Sequence, residues 1–126
     1  MTMNQLTGQI ISAAIDIHKT LGPGLLESAY KECLFYEITQ RELYAEKEKP
    51  LPLVYNSVHL DVGYRIDLLV EDKVIIEIKS VDSLNEIHLA QILTYLKLSD
   101  LHLGLLINFN VLLLKNGIKR VVNGYS

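Results

Sequence analysis

The amino-acid sequence predicts an α/β domain in which helices cover a mixed β-sheet. Two segments with helical spacing of apolar residues open the chain, and period-two and β-branched segments follow them. A further helical segment then separates the last strands from the first ones, which is typical of an α/β fold with a mixed sheet. A length of 126 residues is typical of one domain, so we expect residues 1–126 to form a single unit.

The composition argues against several classes of protein. A content of 49% hydrophobic and 21% charged residues is typical of a globular chain and not of a disordered one. The single cysteine, Cys33, excludes an internal disulfide and a multi-cysteine zinc site. The N-terminal residues do not resemble a signal peptide, so a reducing cytoplasm is the expected location. No apolar run is long enough to span a membrane, and a net charge of −3 argues against a protein that coats DNA through general positive charge.

Three helices are predicted from apolar residues at helical spacing. The first covers about residues 5–20 and the second about residues 25–41, with a Gly-Pro-Gly interruption between them. The third covers about residues 84–98. Ser83 is its candidate N-cap, and Glu86 would complete a capping box three residues later.

The middle of the chain predicts strands. Residues 44–54 are extended but contain two prolines, which favours a sheet edge or a bend in the chain. Residues 58–70 alternate and become apolar, and residues 71–73 form a turn. Residues 74–79 are β-branched and almost entirely apolar, which predicts a central strand despite its two charges.

The C-terminal part of the chain predicts a further strand and a hairpin. Residues 102–109 and 111–115 have strand-like patterns. Asn116 and Gly117 form the dipeptide that most strongly signals a tight hairpin turn, so residues 118–122 would close that hairpin.

Three charged residues stand out because they occur within otherwise apolar strands: Asp67, Glu77 and Lys79. A three-residue turn would place Val70 opposite Val74 and, counting back, Asp67 opposite Glu77. Lys79 lies two residues beyond Glu77 and would point to the same face of the sheet. A two-residue turn would break this alignment, so the expected cluster depends on the strand register.

Two adjacent carboxylates repel each other and favour a cation between them. Oxygen ligands with open coordination positions suit Mg²⁺ or Mn²⁺, and a neighbouring lysine could orient a water or offset charge on a phosphate. The alternative is a structural pair between the lysine and a carboxylate across the hairpin. The spacing alone leaves both interpretations open.

The segment from Asp67 to Glu77-Ile78-Lys79 resembles the Asp…Glu-x-Lys core of the PD-(D/E)XK nuclease superfamily. Residues 24–30, GLLESAY, resemble the Gly-x-x-Glu-x-x-Tyr signature of one of its subgroups, the GxxExxY proteins. The similarity continues in order over about residues 6–122. Ile66 stands where the superfamily name has a proline, a position at which replacement is frequent.

This resemblance implies a restriction-endonuclease-like fold and a phosphodiesterase site that uses a divalent metal, Mg²⁺ or Mn²⁺. Asp67 and Glu77 would be catalytic metal ligands, with the Ile78 backbone carbonyl as a third ligand. Lys79 would position the attacking water and support the phosphate. Glu27 would add a further catalytic and metal-binding carboxylate from the second helix.

The pattern alone gives Glu27 another role. If Gly24 is the N-cap, Glu27 is the third helical residue, where its carboxylate would face the positive end of the helix dipole. Tyr30 lies one turn further on and is expected to be a core aromatic whose hydroxyl finds a partner.

Three further residues are candidates for contact with substrate. Arg65, two residues before Asp67, could pair with Glu77 or bind a phosphate through two hydrogen bonds. Gln91 and Tyr95 share one face of the third helix with His88, and that polar stripe could face either the site or solvent. The resemblance places Gln91 at the site and leaves the role of His88 open.

Two functions follow as hypotheses. The first is a metal-dependent nuclease that hydrolyses DNA, or alternatively RNA. The second is a weakly active or inactive module that keeps the nuclease fold and binds nucleic acid or protein. Because the chain is small and acidic, a homodimer is one way in which it could gain affinity for nucleic acid.

Overall fold

The computed structural model describes residues 1–124, which form three α-helices, seven strands and one 3₁₀-helix. The helices are α1 (Met3–Leu21), α2 (Glu27–Gln40) and α3 (Glu86–Ser99). The strands are β1 (Ala45–Pro50), β2 (Leu53–Tyr55), β3 (Val58–Leu60), β4 (Arg65–Val70), β5 (Val74–Lys79), β6 (Leu103–Asn108) and β7 (Ile118–Val122). The 3₁₀-helix spans Leu114–Gly117.

Five strands form a mixed sheet in the order β1-β4-β5-β6-β7, and β2 and β3 form a separate hairpin. Only the β5–β6 pair of the five-stranded sheet is parallel, and α3 makes the connection between these two strands. The predicted α/β class with a mixed sheet and flanking helices is therefore confirmed. β5 is also the central strand, as its apolar run predicts.

The two faces of the sheet belong to two apolar clusters. The even-numbered residues of β5 pack with α1 and α2 on one face, while Ile75 packs with α3 on the other. Because side chains alternate along a strand, Glu77 and Lys79 belong to the face that α3 covers. Among residues 1–124, none of the helices combines the length and apolarity needed to cross a bilayer.

The turn between β4 and β5 has the predicted three residues. Val70 pairs with Val74, and pairing continues back to Leu68 and Ile76. Glu71 and Asp72 both adopt positive φ angles, which allows the tight reversal. The next position along this register brings Asp67 opposite Glu77.

The structure corrects the predicted strand boundaries before β4. Residues 44–54 do not form one segment, because β1 ends at Pro50 and Leu53 begins a separate hairpin. Residues 58–70 are likewise divided by a loop at 61–64. Two prolines without N–H donors end β1, which is an edge strand as predicted.

The predicted N-caps are also corrected. The N-cap of α2 is Leu26 and not Gly24, so Glu27 is the first helical residue and not the third. The N-cap of α3 is Asn85 and not Ser83, and its capping partner is His88 instead of Glu86. Asn85 accepts the His88 backbone N–H, and the His88 ring accepts the Asn85 backbone N–H.

The predicted hairpin at Asn116-Gly117 is wrong. Residues 111–115 form no strand, and β7 pairs with β6 instead. The Asn-Gly dipeptide lies in the 3₁₀-helix, where Gly117 approaches the backbone carbonyl of Asn108 too closely to leave room for a Cβ atom. Glycine is therefore needed at this position because the backbones approach closely, and not because the chain forms a type I′ or II′ hairpin turn.

The variant Gly117→Ala tests this close approach. Its methyl group would overlap with the Asn108 carbonyl oxygen, and relief requires a backbone shift at the end of β6. We expect the free energy of unfolding, measured by urea denaturation, to fall by about 1–3 kcal/mol. Gly8→Ala is the control, because this exposed helical position has open space and alanine there should stabilise by up to about 1 kcal/mol. Unchanged stability of the Gly117 variant would contradict the account.

Candidate active site

The acidic pair lies where β4 and β5 separate. The Asp67 backbone N–H donates to Glu77 Oε2 at 2.8 Å, and the Ile78 backbone N–H donates to Asp67 Oδ2 at 2.8 Å. These carboxylates accept the amide hydrogens in place of backbone carbonyls of the facing strand. The structure thus brings Asp67 and Glu77 together, where the register argument placed them.

Burial makes ionisation of this pair unfavourable. Glu77 is only 5% exposed. Its burial, together with the charge of Asp67, raises the pKa of Glu77 from 4.5 to about 8. Burial also raises the pKa of Asp67, although the hydrogen bond from the Ile78 amide opposes that shift. A proton or a cation is therefore required to relieve the pair near neutral pH.

Two lysines favour the ionised forms of these acids. The positive charges of Lys31 and Lys79 oppose the increase in the pKa values of both Asp67 and Glu77. Within residues 1–124, Lys79 forms no ion pair, while Lys31 pairs with Glu48 of the edge strand β1. Lys79 is thus a partly exposed cation beside the acids and is not neutralised by direct contact with them.

Lys31 is a site residue that the sequence interpretation missed. It follows Glu27 by four residues on α2, so the two side chains share a helix face. That spacing was the available signal. Its use would have required knowing that the N-terminal end of α2 lies beside the end of β5.

Glu27 connects α2 to the end of β5. Its Oε2 accepts the Ser80 backbone N–H at 3.0 Å, and the Ser80 hydroxyl donates to the Leu25 carbonyl at 2.6 Å. The charge of Glu27 contributes to the raised pKa of Asp67, which shows that the two acids are close enough to interact. Glu27 therefore both holds the strand end and adds negative charge to the site.

Tyr30 fixes the loop that precedes Glu27. Its hydroxyl donates to the Gly22 carbonyl at 2.5 Å and accepts the Leu25 N–H at 3.1 Å. The buried ring stacks on Phe109 with centroids 4.4 Å apart. Tyr30 is thus the core aromatic with a partnered hydroxyl that the sequence predicts.

Asn108 holds the segment that follows β5. Its Oδ1 accepts the Val81 N–H at 3.1 Å, and its Nδ2 donates to the Val81 carbonyl at 3.0 Å. The neighbouring Phe109 N–H donates to the Lys79 carbonyl at 3.0 Å. Since successive carbonyls of a strand point to opposite sides, the Ile78 carbonyl faces β4 and the side of Asp67. The available signal for Asn108 in the sequence was a polar residue at the end of an otherwise apolar strand.

The polar stripe of α3 divides between two roles. Tyr95 is buried, and burial together with the charges of Glu77 and Asp67 raises its pKa, so its hydroxyl lies within the influence of the acids. Gln91 is exposed, and its Nε2 donates to the Tyr95 hydroxyl at 3.4 Å. His88 instead caps the helix, as described above.

Arg65 lies at the start of β4 and is exposed. Its Nη1 donates to the Tyr64 carbonyl at 3.0 Å, and it forms no ion pair with other residues in 1–124. The pairing of β4 with β5 extends only to Leu68 and Ile76, so Arg65 lies beyond that ladder. A role in phosphate binding stays a prediction.

The candidate donor set for a cation consists of the two carboxylates and the Ile78 backbone carbonyl. Within residues 1–124, no three His, Cys, Asp or Glu side chains form a metal-binding group. The second oxygen of Asp67 and of Glu77 accepts no hydrogen bond there, and no fully buried side-chain oxygen lacks a partner, so both reach solvent. Hard oxygen donors that leave room for water fit a magnesium-like cation.

Residues 4–121 match the family model described as the PD-(D/E)XK nuclease superfamily. This match supports a nuclease-type function, and the match covers most of the chain, so the protein belongs to that superfamily. The mixed five-stranded sheet with three helices is consistent with the restriction-endonuclease-like fold. The chain matches no curated protein and no solved structure. Membership of the GxxExxY subgroup stays a prediction.

The raised pKa of Glu77 predicts that stability depends on pH when no divalent cation is added. The folded protein holds this proton more tightly than the unfolded chain, so the free energy of unfolding should fall as pH rises from 4.5 to about 8. Glu77→Gln keeps an acceptor for the Asp67 amide but cannot ionise. Its unfolding free energy, from urea denaturation at several pH values, should fall less over that interval.

Glu42→Gln is the matched control for this experiment. Glu42 is exposed and its side chain makes no hydrogen bond within residues 1–124, so the variant should keep the wild-type pH dependence. Parallel pH profiles for wild type and Glu77→Gln would contradict the assignment of the raised pKa to Glu77.

Proposed function

We propose that the protein is a divalent-metal-dependent nuclease that hydrolyses phosphodiester bonds in nucleic acid, with DNA as the expected substrate. The observation that carries the proposal is the reciprocal arrangement of Asp67 and Glu77, two acids held together by backbone amides at an opening of the sheet. Family membership supports it, since PD-(D/E)XK nucleases generally use divalent metals.

Asp67, Glu77 and the Ile78 carbonyl are the proposed ligands of Mg²⁺ or Mn²⁺. Glu27 would supply a further carboxylate from α2 through Oε1, since its Oε2 accepts the Ser80 amide. When bound, a divalent cation lowers the pKa of a coordinated water and offsets negative charge on the phosphate. It would also stabilise the ionised forms of the two acids, which burial otherwise disfavours.

Lys79 is the proposed positioning and charge-stabilising residue. In hydrolysis a water oxygen forms a bond to phosphorus, and the bond from phosphorus to the leaving sugar oxygen breaks. Lys79 can donate hydrogen bonds to that water or to a non-bridging phosphate oxygen, where negative charge increases in the transition state. Gln91 and Tyr95 from α3, and Arg65 from β4, are the proposed substrate contacts.

The second candidate function is a binding module with little or no turnover. It is favoured by the ligand set, which within residues 1–124 contains no third clustered acid, and by the net charge of −3. We further propose a single domain over residues 1–126, action in the cytoplasm, and a homodimer as a means of gaining affinity. Calorimetric titration with Mg²⁺ and with DNA separates binding from turnover.

Lys79→Ala and Asp67→Asn test the nuclease proposal. We expect each to lower cleavage of plasmid and single-stranded DNA at least about 100-fold, since each removes charge stabilisation or a metal ligand. Cleavage by the wild type should require Mg²⁺ or Mn²⁺ and stop with EDTA. Asp67→Asn retains an oxygen that can accept the Ile78 amide, so its fold should persist.

Lys73→Ala is the matched control, because Lys73 is an exposed lysine in the turn at the other end of the β4–β5 hairpin. Its activity should equal that of the wild type. Thermal unfolding would verify that all variants fold. Full activity in both site variants, or activity that persists in EDTA, would disprove the proposal.

A further inference from the structure

The β2–β3 hairpin and the loop after it expose several large apolar and aromatic side chains. The hairpin pairs with no strand of the main sheet. Its exposed large apolar and aromatic residues, together with those of the loop, are Val54, Tyr55, Val58, Leu60, Val62 and Tyr64. None of these six residues belongs to either apolar cluster of the described part of the protein.

A cavity of about 240 Å³ lies between the base of this hairpin and α3. Its lining residues are Leu53, Tyr64, Gln91, Thr94, Tyr95 and Leu98. The rings of Tyr64 and Tyr95 are tilted by 57° with centroids 6.2 Å apart, and Tyr64 is 45% exposed. The cavity therefore combines an accessible aromatic ring, apolar walls, and an amide and a hydroxyl at its polar edge.

The cavity lies close to the acidic pair, and Tyr95 is the lining residue that connects the two. Tyr95 packs in the α3 cluster with Ile66 and Leu106. Ile66 immediately precedes Asp67, and Leu106 pairs with Glu77 in the parallel register. A ligand that fills the cavity would thus have its neighbouring atoms close to the acids.

The charge of the protein limits how it can bind nucleic acid. With 12 basic and 15 acidic residues, it has no net positive charge to attract the phosphates of a duplex, which supply most of the affinity of duplex-binding proteins. Aromatic side chains offer another source, because stacking one base on an aromatic ring contributes about 5- to 150-fold in affinity without added charge. Arg65, exposed beside Tyr64 and without an ion pair in residues 1–124, adds a local phosphate contact.

We propose that this cavity receives an unpaired nucleobase, stacked on Tyr64, from the strand whose phosphate lies at the acidic pair. The substrate class is then a single strand or a frayed end, since a base within a duplex is already paired with its complement and stacked between its neighbours. The Gln91 amide can donate to or accept from the base edge, and the Thr94 hydroxyl, which donates to the Ala90 carbonyl, can accept from it. The inference rests on the proposed function, because that function places the phosphate beside the cavity.

Fluorescence anisotropy in Ca²⁺ measures binding while turnover is slow, because Ca²⁺ offsets the charge of the acids but activates a coordinated water less than Mg²⁺ does. The probe is a short labelled oligothymidylate, compared with the same strand annealed to its complement. We expect the wild type to bind the single strand more tightly than the duplex, and Tyr64→Ala to weaken single-strand binding about 5- to 150-fold. Tyr64→Phe keeps the ring and should bind nearly as well as the wild type. Tyr36→Ala removes a tyrosine that is 60% exposed on α2 and should have no effect.

A second measurement leaves the protein unchanged. Replacing one thymine by an abasic nucleotide at successive positions should weaken binding when the missing base is the one that occupies the cavity. Wild-type affinity of Tyr64→Ala, equal binding of duplex and single strand, or no binding of either would overturn the inference. The last result would leave the apolar hairpin as a surface for a protein partner.

The two proposals can fail separately. Tyr64-dependent binding of single strands without cleavage under any metal condition would contradict the nuclease and retain the subsite. Metal-dependent cleavage that is unchanged by Tyr64→Ala would retain the nuclease and overturn the subsite.

Discussion

The reciprocal hydrogen bonds of Asp67 and Glu77 are the constraint on which the site depends. Each carboxylate accepts an amide hydrogen at the position where the ladder between β4 and β5 would otherwise continue. The two strands therefore separate at the edge of an apolar core, and two like charges are held a short distance apart. Burial and mutual repulsion together disfavour ionisation, so the arrangement favours a retained proton or a compensating cation.

The rest of the fold holds this opening in place from both sides. On the β6 side, Asn108 and the Phe109 amide fix the residues that follow Glu77. On the α2 side, Glu27 bonds the Ser80 amide, and Tyr30 anchors the loop that leads into the helix. These contacts come from elements far apart in sequence, so the geometry of the acids is a property of the whole sheet and not of one hairpin.

The difference between local and long-range contacts explains which features the sequence could predict. The register of Asp67 and Glu77 followed from a local turn, because a count from Val70 and Val74 needs only the period of a strand. The roles of Lys31 and Asn108 depend on which distant elements pack together, and no local pattern encodes that. The prediction of a hairpin at Asn116-Gly117 was wrong for a related reason. The dipeptide favours a tight turn, but the close approach of Gly117 to the end of β6 determines its conformation.

The charges of the site affect the two proposed contacts with a nucleic-acid strand differently: the phosphate at the acidic pair and the base stacked on Tyr64. Once ionised, Asp67 and Glu77 repel a phosphate, and the nearby positive charges of Lys31 and Lys79 offset this only in part, since Lys31 already pairs with Glu48. Phosphate binding at the acids is therefore favourable only when a cation compensates them. Stacking on Tyr64 needs no such compensation, because it involves an uncharged base. In the proposed binding mode, a small acidic protein thus recognises a strand through its bases, and its charged groups act on the phosphodiester that reacts.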